Sequence, residues 1–170
     1  NSVMQIATYI LDTFTSVPFK GNPTSVCLLT GEINADAMLS IASELNQPVT
    51  AFIYKSHERK DQYSIRYFTP VTEIPACGHA TLAAAKVVMV AEEKKSQPQF
   101  VTANKVVIDT ECEDARISLY YPQYSMQSFE VSESTLNSLG IKSYRTAGIC
   151  AELETLFIEL NDPGTLRNIQ

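Results

Sequence analysis

The chain has 170 residues, enough for one ordinary domain or two small lobes with a buried core. Its 45% hydrophobic and 19% charged shares are globular values and exclude a disordered chain. Thirteen lysines and arginines against 19 aspartates and glutamates leave a net charge of −6, which argues against a nucleic-acid or anionic-membrane partner.

In chain order, β-branched and aromatic residues from Val3 to Leu11 predict a first strand. A loop from Thr13 to Pro23 follows, broken by Pro18, Gly21, Asn22 and Pro23, and then an apolar strand from Thr24 to Leu29. Asn34 is placed to cap a helix over Ala35–Leu45, in which Met38, Ile41, Ala42 and Leu45 recur at helical spacing. Strands are expected at Thr50–Lys55 and Tyr63–Phe68, with the charged run His57–Asp61, His57 included, as a surface turn.

A loop from Pro70 to Pro75 leads through Cys77-Gly78-His79 into an apolar helix, expected at about residues 79–92. Between Ala80 and Ala91 only Thr81 and Lys86 are polar, so this helix should have no wet face and should be buried all round. At about 12 residues it is too short to cross a membrane. Further strands are expected at Gln99–Ala103, Lys105–Glu111 and Ala115–Tyr121. A linker over Pro122–Ser128, a short helix from Ser132 to Leu139 closed by Gly140, and a strand at Glu154–Leu160 complete the chain. The mixed order predicts an α+β fold rather than a doubly wound sheet.

The cysteines, Cys27, Cys77, Cys112 and Cys150, are scattered, and the two histidines lie far apart, so no metal site is expected. Reduced thiols in a cytoplasmic protein are the expectation, with no signal peptide. The chemistry is expected where Cys77, Gly78 and His79 open the apolar helix. Such a junction brings together free backbone N–H groups, the positive end of the helix dipole, a thiol and an imidazole, which can hold an anionic group and move a proton beside it. A buried cysteine packing as a small apolar residue and a histidine capping a helix are the structural readings of the same residues.

Phe19-Lys20-Gly21-Asn22-Pro23-Thr24, the tract from Ile41 to Asn46 with Thr50-Ala51-Phe52 beyond it, and Arg66-Tyr67-Phe68-Thr69-Pro70 with Glu73 and Cys77-Gly78-His79-Ala80-Thr81 stand in one order. In that order and spacing they resemble the phenazine-biosynthesis PhzF-like family, which is related to diaminopimelate epimerase. The resemblance implies a diaminopimelate epimerase-like barrel of strands wrapped around a central apolar helix, over residues 1–121. Residues 122–170 would then be a linker and the incomplete start of a second, similar lobe. It also implies isomerisation without cofactor, by proton shuttling on a small carboxylate-bearing metabolite in the cleft between lobes.

Carried over by position, His79 would orient substrate and pass protons, the amides around Gly78 would hold its carboxylate, and Asn22 would line the same cleft. Thr81 is assigned to the same substrate-binding junction, Glu73 could supply a carboxylate there or be a cap or solvated loop charge, and Cys77 stands where diaminopimelate epimerase carries a catalytic thiol. One position departs from the family. Isomerising members carry an acid before Thr-Ala-Phe, where this chain has Val49. With that acid gone, Cys77 becomes the candidate base, and the alternative is a non-catalytic small-molecule-binding or interaction module of the same fold. The unfinished second unit suggests a fragment, or a partner lobe on another chain. Its apolar surface would invite a homodimer or a complementary lobe.

Overall fold

A computed structural model of the protein describes residues 5–56, 59–92, 97–113 and 116–169. It contains two compact units, residues 1–122 and 123–170. His57 lies outside the described residues.

The first unit is a mixed α+β fold built on a curled half-barrel sheet. Strands β1 (Ala7–Thr13), β2 (Asn22–Leu29), β3 (Thr50–Lys55), β4 (Gln62–Phe68), β6 (Gln99–Thr102), β7 (Val107–Glu113) and β8 (Arg116–Tyr120) follow one another across it. The short β5 (Glu73–Ile74) pairs back on β4. Two pairings are parallel, β2 with β3 and β4 with β6, and each is bridged by a helix. These helices are α1 (Ala35–Leu45) and α2 (Gly78–Ala91).

Strict alternation along β2–β4 sends side chains to two helices. Val26, Ala51, Ile53, Ile65 and Tyr67 join the cluster of α2, while Cys27, Leu29, Phe52 and Phe68 join that of α1. The middle of the sheet is therefore covered on both faces, which explains its unbroken apolar runs. Helix α1 begins where Asn34 accepts a hydrogen bond from the Ala37 amide at 2.8 Å and ends at Asn46, whose φ of 49° is left-handed.

Helix α2 departs from the expected burial all round. Ala80, Ala83, Ala84, Ala85, Val87 and Val88 are buried, and the helix packs on β1, β2, β3 and β8. One strip faces outward instead: Gly78, Lys86 and Val90 are exposed and Leu82 is half-buried. These positions recur every four residues and so share a single line along the helix. Its apolar composition was legible in the sequence; the side on which the half-barrel stays open was not.

In the second unit β9 (Gln127–Ser128), β10 (Thr146–Cys150) and β11 (Thr155–Glu159) form a three-stranded antiparallel sheet with β10 in the middle. Strands β9 and β10 are additions to the sequence reading, as is helix α4 (Pro163–Arg167). Asp162 and Pro163 are the cap and first residue of that helix. Helix α3 (Glu133–Ser138) has the expected Ser132 cap, and Gly140 follows it with a φ of 67°.

Ala84 is fully buried between helix and sheet. Ala84→Leu should destabilise the protein by roughly 1–3 kcal/mol through overpacking, read by urea denaturation. Lys86→Leu on the outward strip should change stability by less than about 0.5 kcal/mol.

Candidate active site

The route into α2 is set by local hydrogen bonds. After β4, the Thr69 amide donates to the Thr72 carbonyl at 2.8 Å and the Thr72 amide to the Thr69 hydroxyl at 3.0 Å, closing a tight turn. Arg66 then holds both carboxylate oxygens of Glu73 in a fork of two 2.7 Å bonds. That clamp fastens β5 to β4, and the chain arrives at Cys77 in an extended conformation, φ −154°. Glu73 thus has both oxygens engaged within its own hairpin.

Cys77 is the N-cap of α2, with its side chain making no cap hydrogen bond. Its Sγ lies 3.2 Å from Nδ1 of His79. Burial pushes the thiol above its ordinary value of 9.0, and the nearby amides of Ala80 and His79 offset part of that rise. Those amides ease charge on the sulfur without capping geometry. Burial likewise holds the half-buried His79 below its ordinary 6.5. At neutral pH the pair is therefore a neutral thiol beside a neutral imidazole, not a thiolate–imidazolium pair. An imidazole that accepts at Nδ1 carries its own proton on Nε2.

Gly78 is exposed and opens the helix. A Cβ placed there would meet nothing nearer than the Tyr121 hydroxyl, at 3.9 Å. Tyr121 escaped the sequence reading, since an aromatic residue just beyond a strand carries no local sign of what it approaches. Cys77, Gly78 and His79 thus come together within one turn. Asn22 is exposed at the start of β2, where its carbonyl accepts from the Thr13 hydroxyl at 3.0 Å. Its neighbour Gly21 is obligatory, because a Cβ would fall 2.3 Å from the Thr13 carbonyl oxygen.

Thr81 requires a correction. It is fully buried, its hydroxyl donating to the Cys77 carbonyl at 2.8 Å and lying 2.6 Å from the Tyr67 hydroxyl. With no exposed surface it belongs to the frame behind the helix start, not to the surface a substrate touches. Val49 is also buried, in the same apolar cluster as Cys77 and Ala80.

Among the described residues no group of three or more metal-ligating side chains assembles. No described helix is long and apolar enough to cross a membrane. A cavity of about 800 Å³ lies at the far end of α2, lined by Leu28, Lys55, Tyr63, Val88 and Glu92 among others. Three of its polar groups are paired with one another, Glu92 accepting from Lys55 at 2.5 Å and from the Tyr63 hydroxyl. At the opposite end of α2 the Cys77 thiol, the His79 imidazole and the exposed Gly78 lie within one turn.

A profile of the phenazine biosynthesis-like proteins, PhzC-PhzF, matches residues 11–169. The chain belongs to this family. It is 33% identical over 167 residues to the mouse phenazine biosynthesis-like domain-containing protein 1, covering 94% of this chain and 58% of that protein. It is 39% identical over 129 residues to an uncharacterized isomerase, YddE, of Salmonella typhimurium, covering 74% of this chain and 43% of the relative. The crystal structure of a PhzF-family protein from Enterococcus faecalis superposes with a TM-score of 0.76 at 29% identity, covering 98% of this chain and 62% of that one. The chain spans about three fifths of the length of the mouse and Enterococcus relatives. The family membership read from the motifs is borne out, and with it a family that includes proteins named as isomerases.

In this PhzF-family chain the ionisation of Cys77 has a defined sign. Its folded value lies above 9.0, so between 9.0 and that value the unfolded chain releases a proton that the folded chain keeps. Iodoacetamide labelling of Cys77 in native protein, followed by mass spectrometry, should therefore reach half its maximal rate above pH 9.0, and at lower pH once the chain is unfolded. Gly78→Ala should raise stability by up to about 1 kcal/mol, since a helix start gains from alanine and the Cβ has room. Native thermal melts check this.

Proposed function

We propose that the chain carries the catalytic helix tip of an isomerase that works without cofactor, by proton shuttling on a small carboxylate-bearing metabolite. The observation that carries this reading is the 3.2 Å approach of Cys77 to His79 beside an exposed glycine at a helix N-terminus. Family relatives named isomerases support the reaction class.

On this reading the substrate carboxylate rests on the amides at the start of α2, led by that of Gly78, which are the natural seat for an anion. Passing the thiol proton to Nδ1 of His79 leaves a thiolate, which removes a proton from the carbon next to the carboxylate. The same amides stabilise the enolate-like charge that develops. The resulting thiol returns a proton to carbon at a new position on the same face, and the imidazolium gives the proton on Nδ1 back to the thiolate this leaves. Nothing is oxidised and no group is lost, so the products are isomers and the pair ends as it began.

The buried Val49 favours a second reading. A family position that holds an acid in isomerising members is filled here by a core side chain, as expected of a descendant that binds carboxylates without turning them over.

Incubation in heavy water with a panel of small carboxylates separates the two by NMR of the recovered compounds. Deuterium should enter a carbon position of at least one compound, and His79→Ala should slow that entry by about 10²–10⁴-fold. The rate should climb with pH through 9.0 as the thiol ionises, with any inflection from His79 lying below 6.5. If no compound takes up deuterium while a dicarboxylate still raises the melting temperature, the binding reading stands instead.

A further inference from the structure

We infer that Tyr67, acting through Thr81, is the positioning residue of the α2 tip, aiming the Gly78 amide outward and fixing Cys77 against His79. This deepens the proposed function and rests on it for the carboxylate, though not for the thiol.

The connection is a buried relay from sheet to helix. Tyr67 sits in β4, only 1% exposed, on the face that packs against α2. Its hydroxyl lies 2.6 Å from that of Thr81, and the Thr81 hydroxyl donates its single proton to the Cys77 carbonyl at 2.8 Å. Tyr67 must therefore be the donor to Thr81. The same carbonyl also accepts from the Thr81 amide at 3.0 Å. It is thus pinned by two donors, where an ordinary first helical carbonyl has one.

Pinning that oxygen fixes more than the oxygen. In a trans peptide the C=O and the following N–H point in opposite directions across one rigid plane. Holding the Cys77 carbonyl inward therefore turns the Gly78 N–H outward, toward solvent. The same plane carries the Cys77 Cα, from which the thiol reaches His79. A threonine bonding back to the carbonyl four residues earlier is common in helices. Here, however, the hydroxyl also receives a donor from a different element. A phenylalanine at position 67 would fill the same core space with no hydroxyl to satisfy. What the phenol adds is direction, linking the plane of the helix tip to the rigid centre of the sheet.

Three variants test this in the full chain: Tyr67→Phe, Thr81→Val and the conservative Thr81→Ser. Succinate is the probe, its binding read from the ¹⁵N–¹H signal of Gly78, and Cys77 is read by the pH dependence of iodoacetamide labelling. Loss of one neutral hydrogen bond is worth about a fivefold change in an equilibrium. Tyr67→Phe and Thr81→Val should each weaken succinate binding at Gly78 by about that factor and shift the labelling midpoint of Cys77, while Thr81→Ser stays near wild type. A lower melting temperature for Tyr67→Phe with an unmoved Gly78 signal and unmoved Cys77 midpoint would overturn the inference and leave an ordinary core hydrogen bond. If wild-type Gly78 does not respond to succinate, the carboxylate seat fails. The inference is then decided by the Cys77 midpoint and the resting Gly78 shift alone, standing if Tyr67→Phe moves them and falling if it does not.

Discussion

Everything at the helix tip depends on how closely α2 can approach the sheet. Its inward face is built from Ala80, Ala83, Ala84 and Ala85, whose single methyl groups let the helix backbone lie against β1, β2 and β3 without large side chains between. Close packing transmits position. A helix held at that distance cannot roll or slide without opening voids or clashes along its whole inner face. The Tyr67–Thr81–Cys77 relay is short enough to form for the same reason, since a bulkier inner face would lift Thr81 out of reach of a sheet tyrosine. Small residues in the core thus serve geometry at the surface.

The same closeness sets the chemistry. Burying the first turn withdraws water from the thiol and the imidazole, and the withdrawal acts on them in opposite directions, raising one and lowering the other. Both shifts favour the neutral forms. The helix N-terminus pulls the other way on the sulfur through the amides of Ala80 and His79, yet desolvation is the larger effect. A thiol at a helix start is therefore not automatically a reactive one; the balance between dipole and burial decides, and here burial wins.

Much of the first unit was legible in the sequence because its signals are local. Asn34 and Asn46 mark the two ends of α1 by capping chemistry and a left-handed φ, and the strands β3 and β4 announce themselves by branched and aromatic residues. What escaped lacks a local signal. Two-residue strands such as β5 and β9 show no periodicity at all. Strand β10 holds Gly148, a residue type that weakens a strand signal, although here a Cβ would crowd the Met126 methyl at 2.8 Å and the Gln127 carbonyl at 3.1 Å. Asp162-Pro163 fits a turn and a helix start equally well until the following residues are seen to be helical. At the site, the meeting of Cys77 with His79 follows from a spacing of two residues around a helix start. The withdrawal of Thr81 into the frame and the approach of Tyr121 to Gly78 depend on β4 and the end of β8, which no window around the motif contains.

The absent acid gains meaning from its surroundings. The Val49 carbonyl is held by the Thr24 hydroxyl at 2.7 Å and the Ser25 amide at 3.2 Å, while Ser25 and Thr50 pair their buried hydroxyls at 2.7 Å. The carbonyl of position 49 is thus held by two donors from β2, and its side chain joins the apolar cluster of α2. A carboxylate there would need water or a buried partner, so this position is built for packing, and on the proposed mechanism proton transfer falls to the helix tip. A carboxylate base is already ionised at neutral pH, whereas the Cys77–His79 pair must first separate its charge. Each unit by which burial raises the thiol or lowers the imidazole reduces the ionised population tenfold. On the proposed mechanism that population is the reactive one. A substrate carboxylate and its enolate would bring negative charge to the amides beside an imidazolium, and the attraction to that cation offsets part of the desolvation. The pair is then best suited to act once substrate occupies the tip, with the resting protein kept neutral.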